Sequence, residues 1–376
     1  MEKAAHLCVS NDATSLGVHV TTSETCPLVS IIIVCYNAER HVERYMRSLA
    51  RQEFRDFEII LVDNQSADKS VDVLRQYPEI NLILNPVNNG STGGNNQALA
   101  AARGKWIFIS NLDTILEPNF LAELVRAGEL DERIGAVAPK ILRMNRDGTI
   151  GTPPLLDSTG IFFTPWHRQH DRGSQTPDRG QYETPEYVFG YTGALALLRR
   201  TMIDDTSIYG KYFDEDFFAF REDSDTSWRM QLMGWKCLYQ PRAIGYHERT
   251  VFEGNRSTTS ALINMHSTKN RFLMRMSNIT PRLYLRTFIP ATLRDVSIVF
   301  YVLLKERTSL PALAYIFRNW SRLWARRQVV QLRRRQSEAY MASFCKFKPI
   351  AKPLEPNLLA VLTAEPQPTP LGPESI

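Results

Sequence analysis

The chain of 376 residues has the 43% hydrophobic and 23% charged fractions of an ordinary globular protein, and it is long enough for one large domain or two modest ones. A formal net charge of +5 is mild, so the placement of the charges matters more than their sum. The five cysteines are scattered and form no CxxC pair or Cys/His cluster, which predicts a reduced cytosolic setting and argues against structural zinc.

Four strand–helix units follow a polar lead-in over residues 1–27. Buried strands are predicted over VSIIIVCYN (Val29–Asn37), over EIILVDNQS from Glu58, over INLILN (Ile80–Asn85) and over Trp106–Ser110. Segments with apolar residues at helical spacing lie between these strands. This alternation within about 90 residues predicts right-handed βαβ units and a parallel sheet.

Three of these strands end in polar side chains, namely Asn37, Asp63 with Asn64, and Asp113. Because parallel strands end at one edge of a sheet, where open α/β sheets bind ligands, this layout predicts a nucleotide site. Asp63 would meet a base or ribose, and the loop from Gly90 to Asn95 would let backbone approach a sugar or phosphate. The alternative is a turn residue and an ordinary loop. No GxGxxG fingerprint or Walker lysine loop follows the first strand.

Asp113 follows the buried strand WIFIS and is the acid best placed to hold a metal ion. A carboxylate is a hard oxygen ligand suited to Mg²⁺ or Mn²⁺, and such an ion suits a diphosphate. The alternative is that Asp113 makes a turn or caps the helix that begins near Pro118.

The middle of the chain offers fewer signals. A helix is predicted over Phe120–Leu130 and a strand over Ile134–Leu142, and the irregular stretch Thr149–Tyr182 is typical of a lid or binding loop. Tyr187–Arg200 is predicted as one buried strand, in which Gly193 would allow a close approach, for example by an acceptor.

A second chemical centre is the acidic and aromatic segment YFDEDFFAFREDSDTSWRMQLMGW, residues 212–235. From Glu222 it reads as a helix whose first-turn acids are favoured by the helix dipole. The dipole does not account for three acids within the four residues 222–225, flanked by Phe218 and Phe220. Repulsion among crowded carboxylates raises at least one pKa, and a carboxylate among apolar rings is poised to accept a proton.

The motifs VSIIIVCYN, IILVDNQSADKS, NNGSTGGNNQAL and FISNLDT, in this order and spacing, resemble the donor half of family 2 glycosyltransferases, in particular the rhamnosyltransferase-like branch. The resemblance covers Val29 to Arg271. It implies the α/β GT-A fold, with a mixed, mostly parallel sheet flanked by helices and a C-terminal helical extension. It also implies that Asp63 reads the base and that Asn111-Leu112-Asp113 is the DXD-type motif, with Asp113 as the remaining acidic ligand.

The segment FDEDFFAFREDSDTSWR resembles the family segment that ends in a Glu-Asp acceptor-site motif, which implies that Asp223 is the catalytic base. Tyr246-His247 resembles the place where members supply a histidine to the metal or diphosphate, and the alternative is a core histidine at a strand end. Asp113 and His247 are thus the candidate metal ligands. The nucleotide-sugar candidates are Tyr36, Asn37, Asp63, Asn64, Asn89, Gly90, Asn95, Asn111 and Leu112, and the acceptor-side candidates are Gly193, Glu222, Asp225 and Trp228.

The predicted domains are a flexible lead-in (1–27), a catalytic domain (28–275) with a donor half (28–118) and an acceptor half (119–275), a basic amphipathic helical region (276–345) and a Pro-rich disordered tail (346–376). In the helical region an apolar arc opposes an arginine face, which is typical of a helix at an anionic membrane surface. Residues 296–335 would make that contact. The alternative is a helix packed on the catalytic domain, and nucleic-acid binding is not expected. The arc is Leu313, Ile316, Phe317, Trp320, Leu323 and Trp324, and the opposing face is Arg318, Arg322 and Arg326.

The resemblance implies an inverting transferase that moves a sugar, L-rhamnose from dTDP-rhamnose, to a hydroxyl of a glycan or polyprenyl-linked glycan in surface polysaccharide assembly. Such an enzyme would work in the cytoplasm at the inner face of the plasma membrane. One alternative is a sugar-nucleotide pyrophosphorylase, but CYNAERHVE after the first strand is not the Gly-rich loop with Arg or Lys that this chemistry needs. The other is a non-catalytic nucleotide-sugar-binding membrane scaffold, which would not need Asp223 among aromatic residues.

Overall fold

The structure is a computed structural model that describes residues 26–249 and 260–364. Its strands are β1 (Val29–Cys35), β2 (Phe57–Asp63), β3 (Ile80–Leu84), β4 (Trp106–Ser110), β5 (Thr114–Leu116), β6 (Ile134–Arg143), β7 (Leu156–Ser158), β8 (Ile161–Phe163), β9 (Gln169–Asp171), β10 (Glu186–Val188), β11 (Leu195–Arg199), β12 (Lys236–His247) and β13 (Lys352–Pro353).

The helices are α1 (Glu39–Ala50), α2 (Ser70–Leu74), α3 (Gly90–Ala101), α4 (Phe120–Gly128), α5 (Arg200–Thr206), α6 (Glu222–Leu232), α7 (Ala261–Asn278), α8 (Pro281–Arg286), α9 (Phe288–Leu304), α10 (Leu310–Arg318), α11 (Trp320–Leu332), α12 (Glu338–Ser343) and α13 (Pro356–Thr363). Short 3₁₀ turns lie at Glu215–Phe217 and Arg307–Ser309. None of the helices within the described ranges is long and apolar enough to cross a membrane.

The central sheet has the strand order β13-β10-β12-β6-β11-β4-β1-β2-β3. β3, β2, β1 and β4 are parallel, as predicted, whereas β11 runs antiparallel between β4 and β6. The sheet is therefore mixed. Because of this reversal, Leu195 at the start of β11 pairs with Ser110 at the end of β4. The start of β11 and the carboxyl ends of β1, β2 and β4 share one edge, where the site lies.

Helices cover both faces of the sheet, which is why its parallel strands are apolar throughout. On one face Ile31 and Ile33 pack in a cluster with Val42 and Tyr45 of α1. On the other face Ile32 packs in a second cluster with Ala98 of α3 and other residues. The alternation of side chains along β1 thus assigns each isoleucine to one of two cores.

The C-terminal helices share a third core with the acceptor half. Trp228 of α6 and Leu273 of α7 are buried in one cluster with Ile316 of α10, Leu323 of α11 and Met341 of α12. The helical extension is therefore packed against α6 and α7, as expected from the alternative to a membrane-bound helix.

Two predicted elements are divided. Tyr187–Arg200 was predicted as one strand, but β10 pairs with β12 while β11 pairs with β4 and β6, so the chain must turn between them. A Cβ on Gly190, within that turn, would lie 2.2 Å from Ser227 Oγ, so the close packing there requires glycine. The amphipathic arc of the helical region is likewise divided between α10 and α11 at Asn319.

The prediction of a disordered tail is wrong for residues 346–364. β13 adds to the edge of the sheet, and α13 buries Leu362 in the main core. Pro353 lies on an edge strand and Pro356 in the first turn of α13, and both positions tolerate proline. The rest of the predicted tail and most of the predicted flexible lead-in lie outside the described residues.

Candidate active site

Asp113 lies between β4 and β5 and faces a histidine from another part of the chain. β5 pairs with β12, which brings His247 opposite Thr114. The His247 Nε2 lies 3.5 Å from Asp113 Oδ1, and this buried oxygen has no hydrogen-bond partner among the described residues. Burial acts to raise the pKa of Asp113, but the nearby His247 outweighs it and lowers that pKa.

The other ring nitrogen of His247 is fixed by Asp157, which was not a predicted site residue. The distance from His247 Nδ1 to Asp157 Oδ2 is 2.8 Å, and the Asp157 carboxylate also accepts from Arg143 and Arg249. Burial opposes the charged form of His247, yet its two carboxylate partners raise its pKa to about 9. A histidine held by a carboxylate on one nitrogen, with the other directed into a site, is typical of metal-binding histidines.

The donor set fits a divalent cation bound together with a phosphorylated substrate. Asp113 supplies an oxygen without a hydrogen-bond partner and His247 supplies an oriented nitrogen. No group of three or more His, Cys, Asp or Glu side chains suited to a metal occurs within residues 26–249 and 260–364. Two protein ligands suffice where phosphate oxygens complete the coordination, as is usual for Mg²⁺.

Asp223 lies in the first turn of α6, at the same sheet edge as Asp113. Its Oδ2 accepts from the backbone N–H of Gly193 at 3.1 Å, and its Oδ1 accepts from the N–H of Ser224 at 2.7 Å. Ala194, next to Gly193, accepts from the N–H of Asn111 at 3.0 Å. The backbone of Gly193, Ala194 and Asn111 therefore connects Asp223 to the turn that carries Asp113. The side chains of both aspartates are partly exposed to solvent.

Glu222 links the helix of Asp223 to the donor half. Its Oε1 accepts from Ser91 Oγ at 2.8 Å, and Ser91 and Thr92 also donate to the carbonyl of Phe218. Burial, followed by the charge of Asp223, raises the pKa of Glu222 to about 7. Repulsion from a neighbouring carboxylate thus contributes to the raised pKa of Glu222, but burial is the larger cause.

Two other acids of the segment pair with arginines of α11. Arg326 pairs with Asp214 at 2.9 Å, and Arg322 pairs with Asp216 at 2.5 Å. Glu215, between them, pairs with Lys211 instead. The pairs with Asp214 and Asp216 place two arginines of the predicted lipid-facing set against protein, so the prediction of a free arginine face is wrong for Arg322 and Arg326.

Two of the predicted acceptor-side residues, Asp225 and Trp228, are buried and do not face the sheet edge where Asp223 lies. Asp225 is 1% exposed and bonded to Arg229, Arg326 and Asn278, and Trp228 is 2% exposed in the third core. On a helix they lie roughly 200° and 140° around the axis from Asp223. They therefore face the core while Asp223 faces the sheet edge.

The predicted nucleotide-sugar residues fall into two groups. Asp63 is 3% exposed with both carboxylate oxygens accepting from Ser66, and Asn64 is bonded to Asn85 and the carbonyl of Gly90. Their bonds shape the loops of the edge. Leu112 packs in the main core, so its side chain is not a contact for a ligand. The exposed members are Tyr36, Asn37, Asn89 and Asn111, and the buried ones are Asp63, Asn64, Gly90, Asn95 and Leu112.

Sequence reasoning missed a group of largely buried ion pairs next to His247. Arg249, just after His247, donates to Asp171 Oδ2 at 2.7 Å and to Asp157 Oδ1 at 3.4 Å. Both acids belong to the stretch 149–182 that is expected to be a lid or binding loop. The available signal was Asp157 itself, a lone charge within the apolar run PLLDSTGIFF.

Comparison with known proteins agrees with this geometry. The family model described as Glycosyl transferase family 2 matches residues 30–206. The N-acetylglucosaminyl-diphospho-decaprenol L-rhamnosyltransferase of Mycobacterium tuberculosis (strain CDC 1551 / Oshkosh) is 26% identical over 272 residues, covering 65% of this chain and 84% of the relative. EpsJ of Bacillus subtilis (strain 168), described as an uncharacterized glycosyltransferase, is 27% identical over 201 residues, which cover 53% of this chain and about half, 54%, of EpsJ.

Solved structures share the fold at low sequence identity. GalNAc-T7 crystallised with UDP, GalNAc and Mn²⁺ has a TM-score of 0.52 and 17% identity, covering 68% of this chain and 48% of its own. TarS of S. aureus has a TM-score of 0.51 and 16% identity, covering 84% of this chain and 53% of its own. Together with the mixed sheet, these matches identify the GT-A fold that the resemblance implied.

Proposed function

We propose that this chain, which carries a glycosyl transferase family 2 domain over residues 30–206, is an inverting sugar transferase that uses a nucleotide diphosphate sugar. The observation that carries the proposal is the convergence of Asp113 and Asp223 on one sheet edge, linked through Asn111, Ala194 and Gly193. One acid has a buried oxygen free of hydrogen bonds, and the other is held by backbone N–H groups.

Asp113 and His247 would hold a divalent cation, Mg²⁺ or Mn²⁺, against the donor diphosphate. When bound, such an ion offsets the negative charge that builds on the leaving diphosphate. Asp157 keeps His247 turned toward Asp113 through the hydrogen bond at Nδ1. GalNAc-T7 crystallised with Mn²⁺ on the same fold supports this assignment.

Asp223 is the base that accepts the proton of the acceptor hydroxyl. Its carboxylate is oriented by the N–H groups of Gly193 and Ser224, and it keeps a partly exposed face toward the edge. As the proton passes to Asp223, the acceptor oxygen forms a bond to the anomeric carbon while the bond to the diphosphate oxygen breaks. A single displacement from the opposite face inverts the configuration.

The donor half supplies the exposed side chains of Tyr36, Asn37, Asn89 and Asn111 to the nucleotide sugar. The proposed donor is dTDP-rhamnose and the proposed acceptor a polyprenyl-linked glycan, in surface polysaccharide assembly at the inner face of the plasma membrane. The support is the mycobacterial relative, whose name specifies L-rhamnose and a diphospho-decaprenol acceptor.

Transfer by purified protein from a panel of nucleotide sugars tests the proposal. Asp223→Asn should lower kcat about 10²- to 10⁴-fold, the usual contribution of a general base, while calorimetric binding of the donor stays unchanged. Asp72→Asn, an exposed acid on α2, is the matched control and should keep full activity. A product with retained configuration at the anomeric carbon, or an active Asp223→Asn, would refute the mechanism.

A further inference from the structure

α9 carries a continuous apolar surface that faces solvent. Of its seventeen residues only Ala291 and Val302 are buried hydrophobic side chains. Ile289 is 70% exposed, Phe300 58% and Leu304 69%, although residues of this type are usually covered. Seven of the eight exposed large hydrophobic residues share one arc and form the α9 face, which consists of Phe288, Ile289, Leu293, Val296, Phe300, Leu303 and Leu304. The eighth, Tyr301, is 45% exposed and lies about 60° beyond this arc.

The α9 face is a single stripe. At 100° per residue its seven members fall within an arc of about 160°. The buried Ala291 and Val302 lie outside this arc, on the side where Asp295 pairs with Arg271 and Arg275. α9 therefore has one side anchored on α7 and another that meets solvent. A contiguous exposed apolar patch of this kind marks an interaction site.

Basic residues border the stripe at both ends. Arg282 and Arg286 on α8 come just before α9, and Lys305 and Arg307 come just after it. All four are exposed, and none has an ion pair within the described part of the chain. Of the two acids of residues 281–319, Asp295 pairs with Arg275, whereas Glu306 accepts from the Ser309 hydroxyl and keeps its negative charge. With four cations and one carboxylate, this surface has a net positive charge.

We infer that the α9 face with its four flanking cations is the surface on which this protein docks to an anionic lipid bilayer. An apolar stripe lying in the headgroup region and cations reaching anionic lipids are the two contributions that bind interfacial helices to membranes. The choice of a membrane as occupant rests on the charge of the surface and on the proposed function, in which the acceptor is lipid-linked. The membrane contact is therefore placed on α8 and α9 and not on the arginines of α11.

The orientation has a consequence for the site. α9 is anchored on α7 through Asp295, and α7 also holds the segment before Asp223 through Asn270. A membrane docked on α9 is thus connected by two rigid contacts to the helix that carries the base. This places the catalytic edge at a defined distance from the lipid surface.

Co-sedimentation with vesicles of equal parts phosphatidylcholine and phosphatidylglycerol, without donor or acceptor, tests the inference. The full chain should bind these vesicles and bind pure phosphatidylcholine much less. The triple variant Ile289→Ser, Leu293→Ser, Phe300→Ser and the double variant Lys305→Gln, Arg307→Gln should each reduce binding roughly tenfold or more.

Matched controls separate docking from general effects of substitution. Val296→Ser removes an apolar side chain from the α9 face, whereas Val361→Ser removes one of similar exposure, 51% against 47%, from α13. Only Val296→Ser should weaken binding. Arg75→Gln, just after the end of α2, serves as the charge control. Circular dichroism of each variant should match that of the parent protein.

Unchanged binding by the triple variant, or no preference for anionic vesicles, would overturn the inference. So would a dimer of the free protein that the triple variant dissociates, since the occupant would then be a second copy. Transfer to a soluble acceptor without vesicles tests the proposed function separately. If transfer fails while vesicle binding depends on α9, the docking surface stands and the reaction assignment falls.

Discussion

Asp157 connects strand β7 to the proposed metal site without being a ligand itself. It is 1% exposed and accepts from His247, Arg143 and Arg249, so its charge is matched in a buried setting. Burial works against ionisation, but these partners lower the pKa of Asp157 to about 2. Its chemical effect is to fix which nitrogen of His247 faces Asp113.

We expect Asp157→Asn to weaken Mn²⁺ binding about 10- to 100-fold, the usual cost of losing a carboxylate partner of a metal-binding histidine. The measurement is calorimetric titration of Mn²⁺ in the presence of a nucleoside diphosphate, which is independent of turnover. Asp178→Asn, in the same stretch but paired with Lys140, is the control and should bind normally. Equal Mn²⁺ affinities in the two variants would show that Asp157 does not support the metal site.

Glu222 and Asp223 are adjacent acids with different surroundings. Asp223 accepts from backbone N–H groups, whereas Glu222 has one oxygen on Ser91 and one without a hydrogen-bond partner among the described residues. Burial and the neighbouring charge together disfavour the ionised form of Glu222. The pair therefore separates into one acid suited to accept a proton and one that retains its own.

This separation predicts how stability depends on pH. The unfolded chain releases the Glu222 proton near the ordinary pKa of 4.5, while the folded protein keeps it to about 7, so the free energy of unfolding falls as pH rises between these values. Glu222→Gln has no proton to lose. Relative to wild type it should gain on the order of 1 to 3 kcal/mol above that window.

Urea denaturation of both proteins on either side of the window measures the effect. Glu215→Gln, an exposed acid seven positions earlier, should leave the pH dependence as in the wild type. A Glu222→Gln curve parallel to the wild-type curve at all pH values would contradict the assignment.

At the level of elements, the segment before α6 holds an uncommon backbone shape. Phe218, Phe220 and Arg221 have φ values of 63°, 70° and 67°, which cost of order 1–3 kcal/mol each for non-glycine residues. Asn270 of α7 offsets this cost, because its Nδ2 donates to the carbonyls of Phe217, Ala219 and Phe220. The N-terminus of α3 meets the same segment at Phe218.

Gly90 is the closest point of that meeting. A Cβ there would lie 2.3 Å from the carbonyl oxygen of Phe218, and φ is +72°. Gly210 has a similar φ of +75° with nothing within 4 Å of its Cβ position. Gly210→Ala should therefore cost only the backbone strain, about 1 kcal/mol, whereas Gly90→Ala also displaces the N-terminus of α3. The predicted loop from Gly90 to Asn95 is wrong, because these residues form the first turns of that helix.

Thermal unfolding of the two variants checks this difference, and donor binding should weaken in Gly90→Ala alone. Similar melting temperatures for the two variants would show that the N-terminus of α3 can move away from Phe218 at little cost in free energy.

On the scale of the whole molecule, the C-terminal helices complete the catalytic half. Arg326 of α11 is 8% exposed and bonded to Asp214 and Asp225, more than a hundred positions earlier in the chain. Arg322, one turn away on the same helix, has a side chain 52% exposed and pairs with Asp216. Both arginines form ion pairs with aspartates, but the Arg326 pairs are buried and the Arg322 pair is half exposed.

The burial of each ion pair sets the expected loss in the free energy of unfolding when its arginine is replaced. Arg326→Met leaves buried carboxylates without a partner and should destabilise by about 3–5 kcal/mol. Arg322→Met removes a half-exposed pair and should cost about 1 kcal/mol or less. Guanidinium denaturation of both variants provides the comparison, and equal losses would mean that α11 is not locked through Arg326.

The sequence by itself determined the strands of the donor half and the edge at which they end. These follow from local patterns, since apolar runs and helical spacing are set by near neighbours in the chain. The resemblance in its motifs led to the GT-A fold. Burial of Leu112 and Asp225 was not foreseen, because the side of an element that faces the core depends on what packs against it. The helical spacing from Glu222 did predict that Trp228 faces inward, as it does.

Only the tertiary structure decided which distant side chains meet. Asp157 and His247 are 90 positions apart and Arg326 and Asp225 are 101 apart, and no local pattern specifies such pairs. The ordered tail over 346–364 likewise exists because a sheet edge and a core pocket were available to receive β13 and α13. Local periodicity fixes the elements, whereas pairing across the fold is fixed by the burial and charge that only packing creates.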